Sequence, residues 1–96
     1  MEIINNLNKT NPELIKPLSI CGLLYYTVLN ADIPEAVDAL TKGVPKFAED
    51  AMADSALEAK VCEESFLVYK CSPLVDINAA VCDLSLVAKS IIKNLL

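Results

Sequence analysis

The sequence predicts an all-α fold, a small disulfide-stapled bundle of four to five helices, and three observations carry that reading. The chain of 96 residues holds only 2 Gly and no Trp, and it is rich in Ala, Leu, Lys and Glu, which favour helices over a small β barrel. Apolar residues recur at spacings of three and four along most of it. Its 4 Cys, an even number, suit two disulfides in a small domain made in an oxidising compartment. The competing reading is four reduced cysteines packed as small hydrophobes.

Residues 1–11 are polar and Asn-rich, and are expected to form a flexible N-terminal arm. Asn8-Lys9-Thr10 is a sequon, which makes Asn8 a glycosylation candidate. MEIINNLNKT has no basic n-region and no apolar h-region, so a mature secreted chain is expected. The remainder, 12–96, reads as a single helical-bundle domain, without repeats or linkers.

Asn11-Pro12 resembles a helix start, with Asn as cap and Pro at the first position. Pro17, one turn on, implies a kink or a fresh start. Pro17–Leu29, PLSICGLLYYTVL, lies in a run without charge between Lys16 and Asp32, and its apolar residues occupy every side of the helical wheel. A helix apolar all round is either a buried central helix or a membrane span. The uncharged run is too short for a span, which needs about 20 residues, so a central helix with no transmembrane segment is expected.

Asp32-Ile33-Pro34-Glu35 reads as a second start, for a helix ending near Thr41. Gly43-Val44-Pro45 makes a bend, followed by a short piece to Ala53. Asp54 or Ser55, with Glu58, fits a capping box for a helix running to Cys71, where Ser72-Pro73 stops it. Glu58, Lys60, Glu63 and Glu64 would mark its wet side. Asp76 caps the last helix, whose Ile77, Val81, Leu84, Ala88, Ile91 and Leu95 form a bundle seam.

Cys62 and Cys71 are nine residues apart in one predicted helix, so they lie on opposite faces about 13 Å apart and cannot pair. Two internal connectivities remain, Cys21–Cys62 with Cys71–Cys82 or Cys21–Cys71 with Cys62–Cys82, and intermolecular bridges stay open.

Net charge is −5 without a cluster of Lys, which argues against nucleic acid and anionic membrane surfaces as partners. No His is present, so His-based acid–base, nucleophile and metal chemistry is excluded. The cysteine spacings match no zinc or iron–sulfur pattern, and Glu63-Glu64 reads as a solvated face. The sequence therefore implies a protein that is not an enzyme and has no metal and no cofactor.

Hydrophobic residues make up 54% of the chain and mean hydropathy is +0.43, above an ordinary small domain. That surplus needs a dimer interface, a cavity or an exposed face. A cavity would be walled by Leu24, Tyr25, Tyr26, Val44, Phe47, Phe66, Leu84 and Ile91, with a tyrosine hydroxyl as its polar group. Core packing is the plainer role for both tyrosines.

SICGLLYYTVLNADIPEAV resembles the first helix and turn of the secretoglobins, the family of uteroglobin and the cat allergen chains. Cys62 falls where several members carry a third-helix cysteine, and LVAKSIIKNLL, with Lys89, is similar to their closing helix. The chain departs from that pattern at Leu96, where a closing cysteine is expected, at Gly22 in place of Pro, and in the extra Cys71 and Cys82. CEESFLVYKC separately resembles the last cysteine pair of insect odorant-binding proteins. Both resemblances imply binding of small hydrophobic molecules. The expectation is a secreted, extracellular carrier of a hydrophobic, lipid-like ligand, with a homodimer or heterodimer as a further option. The alternative is a secreted interaction protein (an inhibitor, toxin subunit or effector) that uses an exposed apolar helix face.

Overall fold

The computed structural model describes Ile3, Ile4, Leu7, residues 12–69 and residues 72–94. Most of the arm with Asn8, the Asn11 cap, Cys71, Leu95 and Leu96 lie outside the described residues. Among the described residues there are three long helical rods and no strand: α1 Pro12–Thr41, α2 Pro45–Glu64 and α3 Val75–Lys93. The all-α class holds, but the number is three, not four to five, because two expected breaks are helical.

The first is at Asn30–Asp32. There α1 widens into a π turn, Val28–Asp32, closed by the Ile33 N–H on the Val28 carbonyl, five residues back. The wider turn takes up Pro34, which would clash with the preceding turn of an unbroken α-helix. It also rotates the remainder of α1: the inward positions run Cys21, Tyr25, Val28, Asp32, Ala36, Ala39, with two successive steps of four. One fewer residue would have turned Glu35 inward in place of Ala36. Pro17 breaks nothing either, because the helix opens with a 3-10 turn, Pro12–Leu14, and Pro17 falls among the first N–H positions, which lack helical partners anyway.

The second is at Ala53–Ser55. Capping residues mark where a helix can start, but Ala51-Met52-Ala53 contains no breaker, so α2 runs through. Ser55 does not cap; it is buried mid-helix and hydrogen-bonds Ser85 Oγ at 2.9 Å. Nor does α2 continue to Cys71. It tightens at Ser65, whose N–H meets the Val61 and Cys62 carbonyls, and this turns Phe66 into the core at 2% exposure.

The turn after α1 is the one legible from sequence. Gly43 adopts φ 74°, the Val44 N–H bonds the Ala39 carbonyl at 2.8 Å and the Gly43 N–H bonds the Leu40 carbonyl at 3.2 Å. This is a Schellman end whose left-handed position suits Gly. The short turn sets α2 antiparallel to α1, and α3 returns along α2, so α1 and α3 run the same way on either side of it.

α2 is therefore the middle helix, packing extensively on both α1 and α3. The expected centre, Pro17–Leu29, packs on one side only: Leu18 and Cys21 are fully buried, while Ile20, Leu23, Tyr26 and Leu29 are exposed. Length and composition alone would allow α1 to cross a membrane; in this fold it carries the disulfide and the core. One core cluster joins Ile4, Leu14, Leu18, Tyr25 and Val28 to Phe66 and Leu74 around Cys21 and Cys62. The second is small and alanine-based: Ala36, Ala39, Ala48, Ala51 and Ile92.

Cys21 and Cys62 are bonded, with Cα atoms 4.8 Å apart, the pairing of the first of the two connectivities. Cys82 carries a free thiol, so the companion bridge from Cys82 is not formed.

Candidate functional site

α3 decides what the surface looks like. Its buried positions are Asn78, Ser85 and Ile92, seven apart. The seam read from sequence is thus turned by about one residue, leaving Leu84 at 69% and Ile91 at 59% exposure. The opposing face of α2 explains this: Ala51, Ser55, Ala59 and Cys62 are small, so the helices approach closely through small and polar residues while the bulky ones stay outside.

An apolar groove of about 430 Å³ results, open to solvent, between α1 and α3 with α2 as its floor. Tyr25, Val28, Leu29 and Ile33 form one wall, Met52 and Ser55 the floor, and Ile77, Val81, Leu84 and Ser85 the other wall. Of the eight cavity candidates, only Tyr25 and Leu84 reach it. Phe66 is in the core, Leu24 is half-buried against the core, and Tyr26 and Ile91 face solvent. Val44 and Phe47 line a different depression, at the α1–α2 turn.

At that turn, Phe47 is 64% exposed in the first turn of α2, behind Gly43 and Pro45. Beside it Lys46 is held loosely by Asp50 at 3.5 Å and Glu49 at 3.8 Å.

Two polar clusters inside the bundle were not read from the sequence. In the first, the Tyr25 hydroxyl donates to Asn78 Oδ1 at 2.5 Å, and Asn78 Nδ2 and Ser72 Oγ donate to Glu63 Oε1 at 2.9 and 2.8 Å. Burial, then the Glu63 charge, then Cys82 push the Tyr25 phenol up to about 12. Glu63 is therefore not on a wet face. The only sequence signal was Asn78 standing seven residues before Ser85, the spacing of a bundle position.

In the second, Asp32 on the π turn is 4% exposed and faces Glu58 of α2, which is half-buried and equally misassigned to the wet side. Burial first, then a hydrogen bond with Asp32 and the charges of Asp32 and Asp54, push Glu58 up to about 8. Among the described residues no three acidic or cysteine side chains converge as metal ligands would.

No family model matches the chain. Over 88 residues, 92% of its length, it is 44% identical to "Cell wall / vacuolar inhibitor of fructosidase 1" of Arabidopsis thaliana, and it spans 42% of that protein's length. The likeness overturns the secretoglobin resemblance and sets aside the odorant-binding one. With them go the hydrophobic small-molecule or lipid partner and the carrier function, since this relative is by name an inhibitor of an enzyme. It matches the expected alternative, an inhibitor. The cell-wall or vacuolar relative and the formed Cys21–Cys62 bridge agree with the localisation read from the cysteines: the chain is secreted and extracellular.

Proposed function

We propose that this chain acts as an inhibitor of a fructosidase, binding the enzyme as a protein partner and catalysing nothing itself. The observation that carries the reading is 44% identity over 88 residues to a named fructosidase inhibitor. The side-chain chemistry supports it. Glu63 and Glu58, the strongest acid–base candidates by environment, are tied into the helix contacts and not aimed into a cleft. We also read 12–96 as one helical unit behind an arm at 1–11.

The turn between α1 and α2 is the surface best suited to contact the enzyme. Interface anchors are aromatic or cationic side chains held in place before binding. Phe47 and Lys46 meet that description: a ring 64% exposed and an ammonium beside it, on a turn stiffened by Pro45 and the Schellman end. Val44 and Leu40 extend the apolar area, both exposed. The test is binding of the oxidised chain to a purified cell-wall fructosidase by titration calorimetry. Phe47→Ala should weaken binding by about 2 kcal/mol or more, roughly 30-fold, with an unchanged melting temperature. Equal affinity of Phe47→Ala and the parent chain would remove the turn from the interface.

A further inference from the structure

The Asp32–Glu58 contact joins two helices through two acids and no base. Asp32 Oδ2 and Glu58 Oε2 are both buried and have no partner while both carboxyls are ionised; the hydrogen bond between the two residues that raises Glu58 needs a proton on one of them. Two carboxylates can only accept, so as a doubly ionised pair each oxygen is orphaned, at the desolvation penalty of a buried charge. One proton between them gives a donor to one and an acceptor to the other, and satisfies both at once.

Among the described residues no ion pair reaches Asp32 or Glu58. Asp54, one turn before Glu58 on α2, is a further acid acting on it. The buried positions of α3 are Asn78, Ser85 and Ile92, none of which titrates, and its half-buried Cys82 and Lys89 are not among the groups that act on Glu58. The described ion pairs employ Lys42 and Lys46 on Asp38, Glu49 and Asp50, not on this pair.

Its location gives the proton a mechanical consequence. Asp32 is the last residue of the π turn, whose closing bond runs from the Ile33 N–H to the Val28 carbonyl. A π turn is a rarely used register, and here it packs against α2. We propose that a protonated Glu58 carboxyl donates to Asp32 and so pins the π turn of α1 to α2, and that loss of this proton releases the joint, making the α1–α2 hairpin a pH-sensitive element.

The direction comes from Glu58. Its carboxyl, raised to about 8 from an ordinary 4.5, holds its proton in the folded chain and not in the unfolded one. The stability it contributes is present at acid pH and lost as pH rises through about 8. A joint of this kind is firm in an acidic compartment and loose outside it.

The experiment is a ¹³C NMR titration of the carboxyl groups of the oxidised chain from pH 4 to 9.5, with hydrogen exchange of the Ile33 amide over the same range. One Glu carboxyl should titrate near 8. Protection of the Ile33 amide, corrected for the intrinsic pH dependence of exchange, should fall about tenfold or more across that midpoint. Glu58→Gln, whose amide donates to Asp32 at every pH, should keep the amide protected throughout. Asp32→Asn, which offers Glu58 a neutral donor, should return Glu58 towards the ordinary carboxylate range. Every Glu of the parent chain titrating between 4 and 5 would overturn the proposal, and needs no variant to fold. So would Glu58→Gln losing protection at the same pH as the parent.

Discussion

Tyr25 and Asn78 show how much a single hydrogen bond holds at this site. The phenol donates to Asn78 Oδ1 across the α1–α3 gap while Asn78 Nδ2 donates to Glu63 on α2, so three helices meet in one chain of bonds. Tyr25→Phe leaves a buried amide oxygen unpaired, and should lower stability by about 1–3 kcal/mol in urea unfolding. The phenol itself provides a second check. Held up to about 12 by burial, Glu63 and Cys82, Tyr25 stays neutral in the folded chain while the unfolded one ionises near 10. The stability this gives is present below about pH 10 and lost as pH rises through 12. An ultraviolet titration should find one tyrosine ionising only near that upper value. Loss of all phenol protons by pH 11 with the fold intact would contradict the network.

At the scale of the helices, the turn at Gly43–Pro45 was legible because it depends on local chemistry, a left-handed glycine and a proline at a helix start. The position of the α3 contact was not. Periodicity reports which residues are apolar, and Ile77, Leu84 and Ile91 are a true apolar stripe; the small face of α2 chose Asn78, Ser85 and Ile92 instead. The π turn left no mark in the pattern beyond one extra residue between Val28 and Ala36. Ser55 and Glu58 carry a capping signature that a helix passing through simply ignores. The polar clusters were illegible for the same reason: Glu63 and Glu58 look solvated until the helix rotation is known. The register yields a paired prediction. Ile92→Ala, at 6% exposure, should cost about 2–4 kcal/mol, whereas Leu84→Ala should fall within about 0.5 kcal/mol. Reversal of that order in chemical unfolding would restore the seam read from the sequence.

For the whole molecule, the surplus of apolar residues remains largely on the surface. Leu23, Leu29, Leu84, Val87 and Ile91 are all more than half exposed, and the groove between α1 and α3 is open along one side. The chain spans 42% of the length of its curated relative, and its alanine-based second core is thin. Covalent closure therefore matters. The Cys21–Cys62 bridge, with a sequence separation of 41, contributes about 4 kcal/mol by the loop-entropy model. Reduction, or Cys62→Ser, should lower the melting temperature by 10 °C or more on the scaling of a small domain, roughly 4–8 °C per kcal/mol. A shift of only a few degrees would mean that helix packing alone holds α1 on α2.

Inhibition of a fructosidase is the central claim, and steady-state kinetics tests it most directly. A purified cell-wall fructosidase would be assayed against its fructoside substrate with increasing oxidised chain, and again with the chain reduced. The account predicts a saturable, stoichiometric loss of activity with the oxidised chain, weakened by reduction. Full enzyme activity at a large molar excess of folded, oxidised chain would contradict it.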